Sequence, residues 1–243
     1  LNAGEIDGAS MLMQLAMQAK QIGVELKAIA LGHEDGNVIV SKNNIDEVKE
    51  LRGRTFAIPH THSAHHLLIY ELLEQEGVDY QVVNFIEMPP PEMPAALEEG
   101  RIAAYAVAEP FGAIAVQLGV GKVLAYSDEF WPNSYCCVLV LREEVLEEKE
   151  SYVQQLVDRY VAAGQLADKK DDKLYEALQA YMNVEEEVLE LSLQWIAYNS
   201  LEITKEEFTK LSERIEALQL MEEIPTYEEF VDLRFLSSGD IDG

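Results

Sequence analysis

Residues 55–77, TFAIPHTHSAHHLLIYELLEQEG, constrain the fold more tightly than any other stretch. They open with a short apolar run, Phe56-Ala57-Ile58, and end it at Pro59, which lacks the backbone donor that a central strand needs. A polar loop follows, His60-Thr61-His62-Ser63. Ser63 is a good N-cap, and from Ala64 the residues Leu67, Leu68, Ile69, Leu72 and Leu73 recur at helical spacing until Gly77. The segment therefore predicts a strand, a polar loop and a helix. Unpaired backbone N–H groups at such a helix start favour an anion or a polar acceptor. Thr61, Ser63 and the histidines add hydroxyls and ring nitrogens. The plainer alternative is that Ser63 only caps a surface helix.

The same device recurs along the chain. After a glycine turn at the start, a very short strand and a helix over 10–21 are expected. Strands follow near 24–31 and 38–40, and a short helix over 44–51. Beyond residue 55 the pattern alternates: a helix to Gly77, a strand at 81–85, a helix at 92–99 begun by Pro89-Pro90-Pro91, a strand at 101–107, a helix from Glu109-Pro110 to 118, and a strand at 122–126. Residues 136–141 read as a buried strand. From Glu143 the periodicity is helical, over 148–169, 172–181, 184–197, 204–218 and 226–231. Alternating strand–helix units followed by helices predict an α/β chain with mainly parallel sheets and a helical C-terminal segment. An internal echo supports two related lobes: Leu1-x-x-Gly4-x-Ile6 leads to a helix start expected at Ala9-Ser10, and Leu97-x-x-Gly100-x-Ile102 leads to one at Glu109-Pro110. In open α/β sheets ligands lie beyond the carboxyl ends of strands, where Ser10, the loop 60–63 and Glu109 are expected.

Composition narrows the partners. Eighteen Lys and Arg stand against 45 Asp and Glu, a net charge of -27. Nucleic acid is excluded as a partner, because phosphate binding needs a basic patch, and adsorption to an anionic membrane is disfavoured. An anionic ligand remains open, because dipoles and buried donors govern a small pocket. The two cysteines, Cys136 and Cys137, are adjacent and read as two thiols in a strand. The apolar stretch 102–126 is broken by Glu109-Pro110, Gln117 and glycines, and reads as buried strand and helix rather than a membrane span. The first residue is Leu1 and no targeting segment is visible, so the true N-terminus is expected upstream.

An ordered set of motifs resembles a known family. These are Leu1-x-x-Gly4-Glu5-Ile6-Asp7-Gly8-Ala9, Asp35-Gly36-Asn37, Leu51-Arg52-Gly53-Arg54, Ser63-Ala64-His65-x-Leu67-Leu68, Pro89-Pro90-Pro91-Glu92-Met93, Leu97-x-x-Gly100-x-Ile102, Glu109-Pro110 and Phe230-Val231-Asp232. Together they are similar to solute-binding proteins of ABC importers, of the periplasmic-binding type II fold. Within it they are similar to the NMT1-like nitrate, bicarbonate, sulfonate and taurine group, which includes binders of thiamine-pyrimidine precursors. The resemblance implies two lobes that close on a small polar or anionic solute. Lobe one would hold 1–43 and 135–243, and lobe two 44–134. It implies a further N-terminal strand and helix not contained in this sequence. It also implies an extracytoplasmic place (periplasm, or lipid-anchored at the outer face of the cell membrane), a membrane permease as partner, a monomer, and no cofactor. The candidate ligand-binding residues are Ser10, Asn37, His60, Thr61, His62, Ser63, His65 and Glu109.

Two departures bear on the solute. The loop after Pro59 carries histidines where many members have Gly and Ser. The run after Trp131, Pro132-Asn133-Ser134-Tyr135-Cys136-Cys137, lacks the basic residue of nitrate-type members. The four histidines His60, His62, His65 and His66 have two readings: ligand contacts with the remainder on the surface, or a metal site built on His62 and His66. No Cys or carboxylate stands at ligand spacing within the run, so no metal is assigned. Glu109 has two roles open, accepting from a ligand or capping its own helix. An enzyme related to thiamine-pyrimidine synthesis is the remaining alternative. No Ser-His-Asp order, phosphate loop or paired carboxylates support it, and a non-enzymatic binder is expected.

Overall fold

The computed structural model describes residues 1–198 and 200–236. In chain order the first elements are β1 (Gly8–Leu12), α1 (Met13–Gln21), β2 (Leu26–Leu31), β3 (Glu34–Asp35), β4 (Asn37–Ser41), β5 (Thr55–Ile58), α2 (Ala64–Gln75), β6 (Asn84–Glu87) and α3 (Met93–Glu98). Next come β7 (Ala104–Ala108), α4 (Phe111–Gln117), β8 (Lys122–Tyr126), α5 (Ser127–Phe130) and β9 (Cys137–Arg142). The helical part is α6 (Glu143–Glu148), α7 (Glu150–Asp168), α8 (Asp172–Gln179), α9 (Glu186–Trp195), α10 (Lys205–Ala217) and α11 (Tyr227–Phe230), with a two-residue strand β10 (Ile196–Ala197) after α9.

Two compact units result. The first joins Leu1–Glu34, Tyr135–Lys169 and the chain from Tyr198 on; the second joins Asp35–Ser134 and Lys170–Ala197. The first unit holds a three-stranded sheet in the order β1-β9-β2, antiparallel throughout. Ile29 and Leu141 of this sheet pack with Val145, Leu146, Val153 and Val157 of α6 and α7, and with Phe235.

The second unit is a five-stranded sheet in the order β6-β5-β7-β4-β8. Side chains alternate across it as the period of two requires. Ile39, Phe56, Ile58, Ala104 and Ala106 face α2 and the turn at Val48–Leu51, meeting Ile69, Leu72, Leu73, Val48 and Leu51. Val38, Val40, Ala57, Tyr105 and Val107 face the other way, onto Met93, Ala96 and Leu97 of α3, Ala115 of α4 and Trp195 of α9. Apolar residues on both faces of each strand are what a sheet covered on both sides demands.

Three sequence expectations need correction. The strand expected near 38–40 was placed in lobe one; it is β4, in the second unit, paired on one side with β7 and on the other with β8, with all five of its residues buried. Residues 170–197 likewise belong to the second unit, because Val188, Leu189 and Leu193 bury one face of α9 there. The sheets are mixed rather than mainly parallel. β5 runs parallel to β6 and β7, whereas β4 is antiparallel to both of its neighbours. The chain enters the second unit through β4 from the same edge at which β7 and β8 end, and that direction makes β4 antiparallel.

Candidate functional site

One edge of the five-stranded sheet collects most of the candidate residues. β5, β6, β7 and β8 end there and β4 begins there, since Asn37 stands opposite Ala108 and Val38 opposite Tyr126. The loop after Ile58, Glu87, Glu109, Ser127 and Asn37 therefore share this edge. It is the carboxyl-end position at which α/β sheets hold ligands. Ser10 is not among them. It lies in the first unit, exposed in the middle of β1 opposite Leu139, and α1 starts only at Met13 with no side-chain cap. The expected helix start at Ser10 is a strand residue because Gly8–Leu12 extend the sheet on β9.

The loop over 59–63 is held by its own bonds. Thr61 donates from its backbone N–H at 2.6 Å and from its hydroxyl at 2.5 Å to Glu87 Oε1. Those two bonds, with help from His60 and His62, hold the Glu87 carboxyl below its usual range. The His62 N–H donates to His60 Nδ1 at 3.0 Å, and the two rings stand 5.6 Å apart. Burial, followed by repulsion from His60, pulls His62 below the usual imidazole value, against the pull of Glu87. His62 Nδ1 is buried and has no hydrogen-bond partner. Ser63 caps α2 as expected, its Oγ accepting from the His66 N–H at 3.3 Å.

His66 anchors this loop to the core. Its Nδ1 lies 2.7 Å from the Thr61 carbonyl, which can only accept, so Nδ1 carries the proton. Nε2 then accepts from the Tyr80 hydroxyl. Burial pulls its pKa below the usual imidazole value, against the bond to the Thr61 carbonyl. His65 is buried in the first turn of α2. Thr61 and Ser63 thus spend their hydroxyls inside the protein. Among the described residues no three His, Cys, Asp or Glu side chains are placed to share a metal ion. Cys136 and Cys137 are free thiols, with Sγ atoms 3.7 Å apart.

Glu109 follows β7 and precedes a cis peptide to Pro110. Its backbone N–H donates to the Gly36 carbonyl at 3.2 Å. Oε2 accepts from the Ala113 N–H at 3.0 Å and from the Ser192 hydroxyl at 2.9 Å, so this oxygen caps α4 and ties α9 to it. Oε1 is buried without a partner beside Gly112, where any Cβ would collide with it and with Val38. Burial pushes the carboxyl up to about 7, against the lowering effect of the two hydrogen bonds. Of the two roles considered for Glu109, Oε2 takes the capping one, and Oε1 is left without a partner.

Beside Glu109 lies a cavity of about 240 Å3, lined by Gly36, Asn37, Tyr126, Ser127, Asp128, Glu129, Gln194 and Trp195. Asn37 and Ser127 are each only 2% exposed, and neither Asn37 Oδ1 nor Ser127 Oγ has a partner. Tyr126 and Trp195 meet edge to face at 5.3 Å. Ser127 escaped the sequence reading, although it follows its strand as directly as the loop 59–63 follows β5. Gln14 also escaped it: in the first unit this residue is wholly buried on α1, and neither atom of its amide is bonded.

Comparison with known proteins places the fold in a lineage. The signature of the NMT1-like family matches residues 1–180. The chain belongs to that family. Among solved structures, the ligand-binding component of an ABC-type import system from Staphylococcus aureus, determined with zinc bound, is 37% identical. The likeness covers 99% of this chain and 83% of that one, with a TM-score of 0.92. The taurine-binding periplasmic protein of Escherichia coli is 29% identical over 161 residues, 65% of this chain and 48% of that protein. The nitrate import ATP-binding protein NrtC of Synechocystis is 29% identical over 140 residues, 56% of this chain and 21% of that protein. The chain thus spans between about a fifth and about half of these two relatives. No helix of the described residues is long and apolar enough to cross a membrane.

Proposed function

We propose that this NMT1-like chain is the solute-binding component of an ABC importer, which captures a small polar solute outside the cytoplasm and delivers it to a membrane permease. The observation that carries this reading is the likeness to the Staphylococcus aureus ligand-binding component, which extends over nearly the whole chain at 37% identity. The sheet edge supports it independently. Buried, unpartnered oxygens at Asn37, Ser127 and Glu109 are costly to leave dry and are the groups a bound solute would satisfy. The action proposed is capture without turnover, by a monomer that uses no cofactor. The experiment is native mass spectrometry of the gently purified protein, followed by calorimetric titration of any released compound. A stoichiometric small molecule that rebinds reversibly and unchanged is expected. Conversion of the compound into a product, or a permanently solute-free protein, would refute the proposal.

A second reading has one specific observation behind it: the Staphylococcus aureus protein was determined with zinc bound, and the His60 and His62 rings lie 5.6 Å apart here. Metal analysis of the same sample decides between the two. Stoichiometric zinc that disappears in His62→Ala would make the histidine loop a metal site.

A further inference from the structure

The cavity beside β8 differs from an anion site in the kind of atoms it offers. Asn37 Nδ2 points to the Asp35 carbonyl at 3.5 Å, which leaves Oδ1 as the acceptor facing no protein group. Ser127 Oγ is likewise buried without a partner. Asp128 and Glu129 are exposed carboxylates on the cavity rim, and Glu129 Oε2 already accepts the Tyr126 N–H at 3.1 Å. Among the described residues lining the cavity none is Lys, Arg or His. The carboxylates reach the cavity electrically: burial and then Glu129, Asp128 and Glu109 push the Tyr126 phenol up.

We infer that this cavity receives the ammonium end of an amine-bearing solute. The inference deepens the solute-binding reading and rests on it. An ammonium offers three donors and no acceptor, the complement of Asn37 Oδ1 and the Asp128 and Glu129 carboxylates, with the Ser127 hydroxyl able to accept as well. Tyr126 and Trp195 line the cavity, and an aromatic face turned to it would attract a cation through its ring quadrupole. The two rim carboxylates add charge-assisted bonds. A nitrate or a sulfonate head in the same place would meet the like charge of Asp128 and Glu129, with no lining cation to offset it. A cavity of about 240 Å3 admits an aminomethyl group carrying a small ring or chain.

The test uses the full chain and an isosteric pair, benzylammonium chloride and sodium benzenesulfonate, titrated by calorimetry at pH 8 and constant ionic strength. Benzylammonium is expected to bind saturably at one site and benzenesulfonate not to bind. Asp128→Asn should weaken the amine about tenfold, as loss of a charge-assisted bond does. Ser127→Ala should weaken it by a smaller factor. Glu216→Gln, on α10 of the first unit and not among the cavity's lining residues, should leave it unchanged and so separate the site from diffuse attraction to an acidic protein. If Ser127→Ala unfolds, Trp195→Phe provides the second variant, with a weaker cation–ring contact. Equal or tighter binding of benzenesulfonate, or amine binding indifferent to Asp128→Asn, overturns the inference. The importer reading fails differently, through the mass-spectrometric result above.

Discussion

Replacing Glu109 with glutamine isolates one buried charge. In the folded protein burial raises this carboxyl to about 7 from an ordinary 4.5. A raised acid means that the folded state holds a proton the unfolded state has lost between those two values. Stability therefore falls as pH rises from 4.5 to about 7 and is level above it. The shift corresponds to roughly 3 kcal/mol at 1.36 kcal/mol per pH unit. The substituted amide would keep an oxygen to accept from Ala113 N–H and the Ser192 hydroxyl, and would carry no charge. Glu109→Gln should match the wild type near pH 4.5 and exceed it by up to about 3 kcal/mol at pH 8. For a chain of this size that is roughly 6–12 °C in Tm. Scanning calorimetry of both proteins from pH 4.5 to 9 reads the difference directly, and histidine titration cancels between them. A difference constant across that range would refute the buried-carboxylate account.

Other consequences are open to the same kind of measurement. His66→Ala removes the bonds to Thr61 and Tyr80 and should cost about 2–4 kcal/mol, seen as a lower urea midpoint. Because the His66 pKa is depressed in the fold, the wild type should lose stability as pH falls below about 6.5, and His66→Ala should lose much of that slope. Gly36 has φ of +70°, and a Cβ there would stand 2.5 Å from Ile196 Cγ1; Gly36→Ala should destabilise by about 2–4 kcal/mol in thermal unfolding. Gln14→Leu removes a buried amide with no partner, so the stability of the protein should hold or rise by about 1 kcal/mol in thermal unfolding.

The sequence was most legible where one local rule decided the outcome. Phe56-Ala57-Ile58, Pro59 and Ser63 gave a strand, a stop and a cap, and the strand, cap and helix stand where those residues put them. Periodicity could not assign β4, because Val38-Ile39-Val40 is apolar on both faces and would suit the middle of either sheet. Nor did it give α6, which precedes the helix expected over 148–169 and is only six residues long. The hydroxyls of Thr61 and Ser63 were legible as polar groups, but not as groups already satisfied. Glu87, Thr61's partner, is 26 positions away in sequence, and only the β5–β6 pairing brings it close.

The Ser10 error came from a displaced register rather than a false echo. Gly4 and Gly100 both adopt positive φ, +72° and +77°. Strands Gly8–Leu12 and Ala104–Ala108 each begin four residues later and each run for five. The constant offset between the two copies is 96, from 100 minus 4 and 104 minus 8. The sequence reading ended the first strand too early, with a helix start expected at Ala9-Ser10, whereas Gly8 and Ala9 are residue types of low strand propensity. They are strand residues because β9 pairs with them, a preference no local window contains. With the offset applied, Glu109 corresponds to position 13 and Pro110 to position 14. Position 14 is the wholly buried, unbonded Gln14. The repeat thus carries over the glycine and the strand, whereas the unsatisfied side chains Gln14 and Glu109 stand one position apart in its register.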